Sequence, residues 1–446
     1  MFSVSRISVL IVALSLASQL QASPLKGGVA RADITPPVGV EMWGFAARKS
    51  VSVGTIDPLY ARVLVLESGA KRVAIVTLDL GRCFGPESLD RLRRDARETS
   101  NVSLVLAAAS HTHSGPVISD HYPNKTPPEW ESRALTKIAQ AIHEASSHLV
   151  EVRVGAGYGV TYIGYNRLET KQTEGFDFRN RTDRMISSPV DPTVAVLRVD
   201  TMDGKPLAIL VNYACHAVVF GAENLNYSAD FPAAMSKTVE TAFDGAPMAF
   251  FLQGGAGDID PYYANTPTQE EPDRWRNWTG QQLGEEAVRV AKTIQTKAEP
   301  DASLDFVDET IDFRMRWNPD KFYDAYLRTW GPQHADQYFP KVGSTVPTPV
   351  STILINKQIA FAVLPGEAFV ELQMDWRNRC PVPYSFFVGY TNGYVGYLPT
   401  IRAAVKGGYG GATGGTWVEV GAGERMVNNA IIQVYRMLGR LSDEPQ

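Results

Sequence analysis

Short apolar, β-branched runs alternate with amphipathic helical stretches along most of this chain, and the alternation restricts it to an α/β architecture. Strand-like runs read at Arg62–Glu67 and Val73–Leu80, joined by Ser68-Gly69-Ala70 as a hairpin or neighbouring pair. More follow at Val102–Ala109, Glu151–Gly155, Thr193–Val199, Leu207–Tyr213 and Met248–Leu252, then at Ser351–Ile355, Ile359–Val363 and Phe386–Tyr390. Helices read at Leu89–Glu98, Trp130–Leu149, Gln281–Thr296 and Glu424–Leu438. In the second, Trp130, Ala134, Leu135, Ile138, Ala141, Ile142 and Ala145 form a single 3.6-period stripe. The expectation is one large domain, residues 23–446, of mixed β-sheets flanked by helices. Residues 262–349, rich in Trp, Tyr and Pro, read as an elaboration within it. No internal repeat is visible in the sequence.

Met1–Arg6 carries one positive charge, Ile7–Leu20 is apolar apart from Ser and Gln, and Ala22 offers a small residue for cleavage. Residues 1–22 therefore read as a secretory signal peptide, with an uncleaved anchor as the alternative, and the mature protein is expected in a periplasm or outside the cell. A net charge of -5 without a Lys/Arg cluster sets aside nucleic-acid partners. Three cysteines, Cys83, Cys215 and Cys380, permit at most one bridge, and three buried thiols are expected.

The chemistry gathers where strands end. Ser110-His111-Thr112-His113-Ser114-Gly115-Pro116 follows the run Val102–Ala109, and in extended chain His111 and His113 would face the same way. Cys215-His216 ends the run Leu207–Tyr213, a plausible third imidazole for a zinc ion. Gln253-Gly254-Gly255-Ala256-Gly257-Asp258-Ile259-Asp260-Pro261 presents two carboxylates two residues apart, and Leu364-Pro365-Gly366-Glu367 another. His143 and His148 mimic a zincin helix but lie five apart, roughly 140° around the axis at about 100° per residue, so they cannot share a face. No Walker A loop, Rossmann fingerprint or G-x-S-x-G elbow is present.

In this order, from Gly28-Val29-Ala30-Arg31-Ala32-Asp33-Ile34-Thr35-Pro36-Pro37 to about Tyr409, these segments resemble the catalytic domain of neutral/alkaline non-lysosomal ceramidases. The resemblance implies one catalytic zinc ion on His111, His216, Glu367 and Tyr397, the last from Asn392-Gly393-Tyr394-Val395-Gly396-Tyr397-Leu398-Pro399-Thr400. It implies His113, Arg167 of Tyr165-Asn166-Arg167, and Tyr409 as active-site residues that do not bind the metal. The substrate it implies is a small-molecule or lipid-like amide, N-acylsphingosine or another N-acyl compound. Two departures stand out. Asp260 occupies the place of the serine in the family's G-D-x-S-P, so that position is expected to serve as general base for an attacking water or to join the metal shell, with a second metal near Asp258 and Asp260 as a variant. The chain also ends soon after the last motif, so the immunoglobulin-like C-terminal domain of the long members is expected to be missing. Hydrolysis of an ester or other acyl bond, and an inactive binding protein on the same scaffold, are the alternatives.

Overall fold

A computed structural model describes residues 23–46, 48, 50–168, 189–331 and 344–442. The expected signal peptide, residues 1–22, lies outside the described residues.

Eight strands form the larger sheet: β1 (Lys26–Asp33), β2 (Tyr60–Ser68), β3 (Lys71–Leu78), β4 (Leu104–Ala109), β5 (Val150–Val160), β6 (Thr193–Thr201), β7 (Pro206–Tyr213) and β8 (Met248–Gln253). Their order is β8-β7-β6-β5-β1-β2-β3-β4. β1 pairs antiparallel with β2, β2 with β3 through the expected hairpin, and β4 joins β3 in parallel after the helix Pro86–Ser100. β5 to β8 repeat this connectivity, with the helix Phe231–Thr241 as the parallel crossover. The two halves meet through a short β1–β5 pairing. The topology is thus duplicated although the sequence shows no repeat.

A second sheet has the order β9 (Leu304–Arg314), β10 (Thr345–Ile355), β11 (Ile359–Val363) and β12 (Tyr384–Val388). The two sheets pack face to face over an apolar layer that includes Leu64, Ile75, Leu106, Leu210, Phe250, Ile353, Phe361 and Phe386. Helices cover both outer faces. Pro86–Ser100 and Glu129–Ser147 lie on β1–β4, with Leu92, Leu135 and Ile138 buried. Phe231–Thr241 and Pro272–Thr293 lie on β5–β8. Val370–Arg379 and Ala422–Met437 cover the smaller sheet, with Trp376, Met426 and Val434 buried. The order of layers is helix, sheet, sheet, helix.

Residues 262–349 read as an elaboration within the domain. They contain the helix Pro272–Thr293, whose Leu283, Ala287 and Val290 are core, and β9, which carries an edge of the second sheet. The helix is anticipated in part by the sequence, as Gln281–Thr296, whereas β9 is not read from it. The cysteines are free, but only Cys83 and Cys215 are buried, and Cys380 is half-buried.

Candidate metal centre and cavity

The carboxyl ends of both sheets converge on one place. Gln253, closing β8, donates its side-chain amide to Ser110 O at 2.9 Å and Cys215 O at 2.8 Å, tying the ends of β4, β7 and β8 together. Asn392 pairs with the free edge of β4, its Oδ1 accepting from Ala107 N at 2.9 Å and its N–H donating to Ala107 O. Two small strand pairs set the remaining groups. Glu367–Ala368 runs parallel with Tyr397–Leu398 and places Glu367 beside Tyr397, and Ile259–Pro261 runs antiparallel with Gly164–Asn166 and places Asp260 beside Tyr165.

His111 and His216 are fully buried and fixed from behind. His111 Nδ1 lies 2.6 Å from Gly81 O, and His216 Nδ1 lies 2.6 Å from Ala256 O, so each ring donates there and turns its Nε2 lone pair inward. Those two Nε2 atoms lie 3.3 and 3.2 Å from a single oxygen, Glu367 Oε2. Four ligands at tetrahedral positions around bonds of about 2.0–2.1 Å would stand about 3.3 Å apart. The spacing therefore fits a zinc-sized ion, and three converging acceptor atoms fit a cation.

His113 reaches the same place by a route the sequence reading missed. His111 is in the left-handed region at φ 65°, so the segment is not extended there. The turn nevertheless brings the rings edge to face, with His113 Nε2 3.2 Å from His111 Nε2. Gly44, at φ 110°, makes room: a β-carbon there would enter the His113 ring. Burial, then His111 and His216, lower the His113 pKa well below its ordinary value and keep the ring neutral. The three imidazoles alone form a cluster able to hold a metal ion. Glu367 Oε2 lies within 3.3 Å of both His111 and His216, and His113 Nε2 lies 3.2 Å from His111 with its ring 5.8 Å from that of His216.

Arg167 bridges this cluster to Asp260. Its Nη1 donates to Asp260 Oδ1 at 2.9 Å, and its Nη2 lies 2.8 Å from Gly257 O, 3.1 Å from Tyr397 OH and 3.2 Å from His216 Nε2. Burial opposes its charge, but Asp260 and then Tyr397 outweigh it and hold the guanidinium protonated. The Tyr409 ring lies 4.9 Å from the Arg167 guanidinium and 5.6 Å from the Tyr397 ring. Asp258 faces elsewhere, accepting from Val370 N at 2.8 Å and Asn166 Nδ2 at 2.6 Å, and burial pushes its carboxyl up to about 7. His143 and His148 bond to backbone carbonyls, away from the centre.

A cavity of about 410 Å³ opens onto the centre, with His111, His113, Glu367, Tyr397 and Tyr409 in its walls. Trp43, Phe45, Tyr326, Tyr394 and Trp417 add further aromatic rings to walls that also carry Glu41 and Arg48. Among the described residues the walls include neither Asp260 nor its partner Arg167. Sequence reasoning did not single out Tyr394, Gly81 or Gly44. Tyr394 stands in the quoted segment around Tyr397 and was the one within reach.

The fold and cavity define a helix-flanked, two-sheet α/β protein with a buried His–His–Glu cluster at its strand ends. The family model described as "Neutral/alkaline non-lysosomal ceramidase, N-terminal" matches residues 26–280, and the chain belongs to that family. The neutral ceramidase of Pseudomonas aeruginosa is 26% identical over 330 residues, covering 69% of this chain and 48% of that protein. That of Drosophila pseudoobscura pseudoobscura is 25% identical over 284 residues, covering 58% and 39%. The chain thus matches about half or less of the length of these relatives. The crystal structure of the Pseudomonas aeruginosa neutral ceramidase superposes with a TM-score of 0.75 at 20% identity, covering 95% of this chain and 76% of that one. The fold is therefore shared over nearly the whole chain.

Proposed function

We propose that this protein is an exported zinc-dependent hydrolase of a linear amide, acting on N-acylsphingosine or another N-acyl compound. The observation that carries the reading is the convergence of His111 Nε2, His216 Nε2 and Glu367 Oε2 at 3.2–3.3 Å, with the Tyr397 hydroxyl beside them through Arg167. Zinc held by these four residues would polarise the amide carbonyl and lower the pKa of water toward about 7.

The chain's own groups supply the rest. Arg167, held protonated, is a donor for the charge that develops on the amide oxygen. His113, neutral and in the cavity wall, is placed to take a proton from the attacking water and pass it to the leaving amine. Asp260 assists through Arg167, the group it touches. The aromatic walls suit an acyl chain or another apolar substituent. Residues 1–22 would direct export.

The test is product analysis with purified protein: N-acylsphingosines of graded acyl length, simpler N-acyl amines and matched esters, with free acid and amine quantified. Equimolar acid and amine from at least one amide supports the reading. Release from the esters alone transfers the assignment to an esterase, and release from neither removes it.

A further inference from the structure

Beside Glu367 lies a set of groups whose polar contacts the proposed reaction leaves unused. Tyr394 donates its hydroxyl to Glu367 Oε1, the oxygen turned away from the two imidazoles that face Oε2. The Tyr394 ring is wedged edge-on against Trp43 and Trp417, with centroids 5.7 and 5.5 Å away at 87° and 85°. The Arg82 guanidinium lies 4.7 Å from the ring centroid. Arg82 is wholly buried and pairs with Asp120 through both terminal nitrogens. The residue before it, Gly81, supplies the carbonyl that receives His111 Nδ1–H, and Trp43 lies so close over Gly81 that a β-carbon has no space.

We propose that Tyr394 is a positioning residue of the metal centre that holds Glu367 as a one-oxygen ligand, and that the Gly81–Arg82 segment, locked by Asp120, sets both His111 and Tyr394. This role rests on the zinc reading above. A carboxylate with both oxygens free can pivot and close on an ion through either one or both. Tyr394 occupies Oε1 with a charge-assisted hydrogen bond, so only Oε2 is presented to the imidazoles. A guanidinium against the ring draws electron density from the phenol and strengthens its O–H as a donor.

Packing alone is a poor explanation of the same facts. A phenylalanine would fill the slot between the two tryptophans, and an apolar side chain in place of Arg82 would avoid the desolvation of a buried ion pair. What the polar groups add is orientation: one dipeptide reaches His111 through its carbonyl and Glu367 through Tyr394, so two ligands share one anchor.

The experiment measures metal affinity and geometry. Tyr394→Phe keeps the ring and removes the hydroxyl. Its zinc dissociation constant, from competition with a chromophoric chelator, is expected to rise about tenfold to a hundredfold. The visible spectrum of the cobalt(II)-loaded protein is expected to change as Glu367 gains its second oxygen, while the thermal midpoint of the metal-free protein stays near that of the parent. Arg82→Lys, which keeps the charge and loses the flat face, is expected to shift the cobalt spectrum in the same direction, and it decides the matter if Tyr394→Phe does not fold. Parent-like zinc affinity and cobalt spectrum in the folded variants overturn the role while leaving the zinc reading intact. A parent protein that takes up no zinc overturns both.

Discussion

Replacing Asp260 by Asn tests how this chain works with an acid where its family resemblance leads one to expect a serine. The Arg167–Asp260 pair is 2.9 Å long, and its side chains are 9% and 2% exposed. Removing one charge from so enclosed a pair leaves the other uncompensated, a loss of about 3–5 kcal/mol when the partner cannot reach water. Asn keeps an acceptor oxygen for Arg167 Nη1, which places the stability cost at the low end. Catalysis should suffer comparably. A guanidinium that drifts from its place no longer meets the developing oxyanion, and loss of one such donor costs about 10²–10³ in kcat. Asp260→Asn should therefore reduce turnover at least that far with zinc still bound, measured by amine release alongside elemental analysis. The way Asp260 acts is read from a cycle with Arg167→Ala. If Asp260 works through Arg167, the double variant is no slower than Arg167→Ala alone. If it is an independent base, the two losses multiply. Multiplying losses would refute the anchoring role, and full activity in Asp260→Asn would refute any role.

His113→Gln should retain its zinc and lose about 10²–10⁴ in kcat, as a proton donor outside the metal shell requires; loss of the metal instead would make His113 a ligand. Asp230 accepts from Phe231 N at 2.7 Å and Phe220 N at 3.1 Å, yet burial pushes its carboxyl up to about 6. Between about pH 4 and 6 the folded chain thus holds a proton that the unfolded chain, near its ordinary value, has released. The stabilisation is present below that window and lost as pH rises through about 6, about 3 kcal/mol for about two pKa units. Asp230→Asn, compared with the parent by urea unfolding at pH 4 and pH 7, should gain about that much relative stability at pH 7; a pH-independent difference contradicts the assignment.

Much of the fold was legible because burial patterns are local. Eight of the strand runs read from composition lie in the larger and smaller sheets within a few residues of their observed ends, and the three histidines follow strands as expected. Legibility failed where structure depends on distant partners. His111 takes a left-handed conformation because the turn is held by Gly81 and Leu80, thirty residues back, and alternation along an extended strand cannot anticipate that. Asp260 meets Arg167 only through the pairing of Ile259–Pro261 with Gly164–Asn166. Tyr394 finds Arg82 across more than three hundred residues, so neither announces its role locally. The duplicated β1–β4 and β5–β8 connectivity escaped because the halves share a path and not a composition.

The central claim is that hydrolysis depends on one zinc ion at His111, His216 and Glu367. The most direct measurement is a zinc titration of chelator-stripped protein while amine release from the best N-acyl substrate is followed. The account predicts negligible turnover without metal and a linear rise that reaches its plateau at one zinc per chain. Turnover that persists after stripping, or that is indifferent to added zinc, would contradict it.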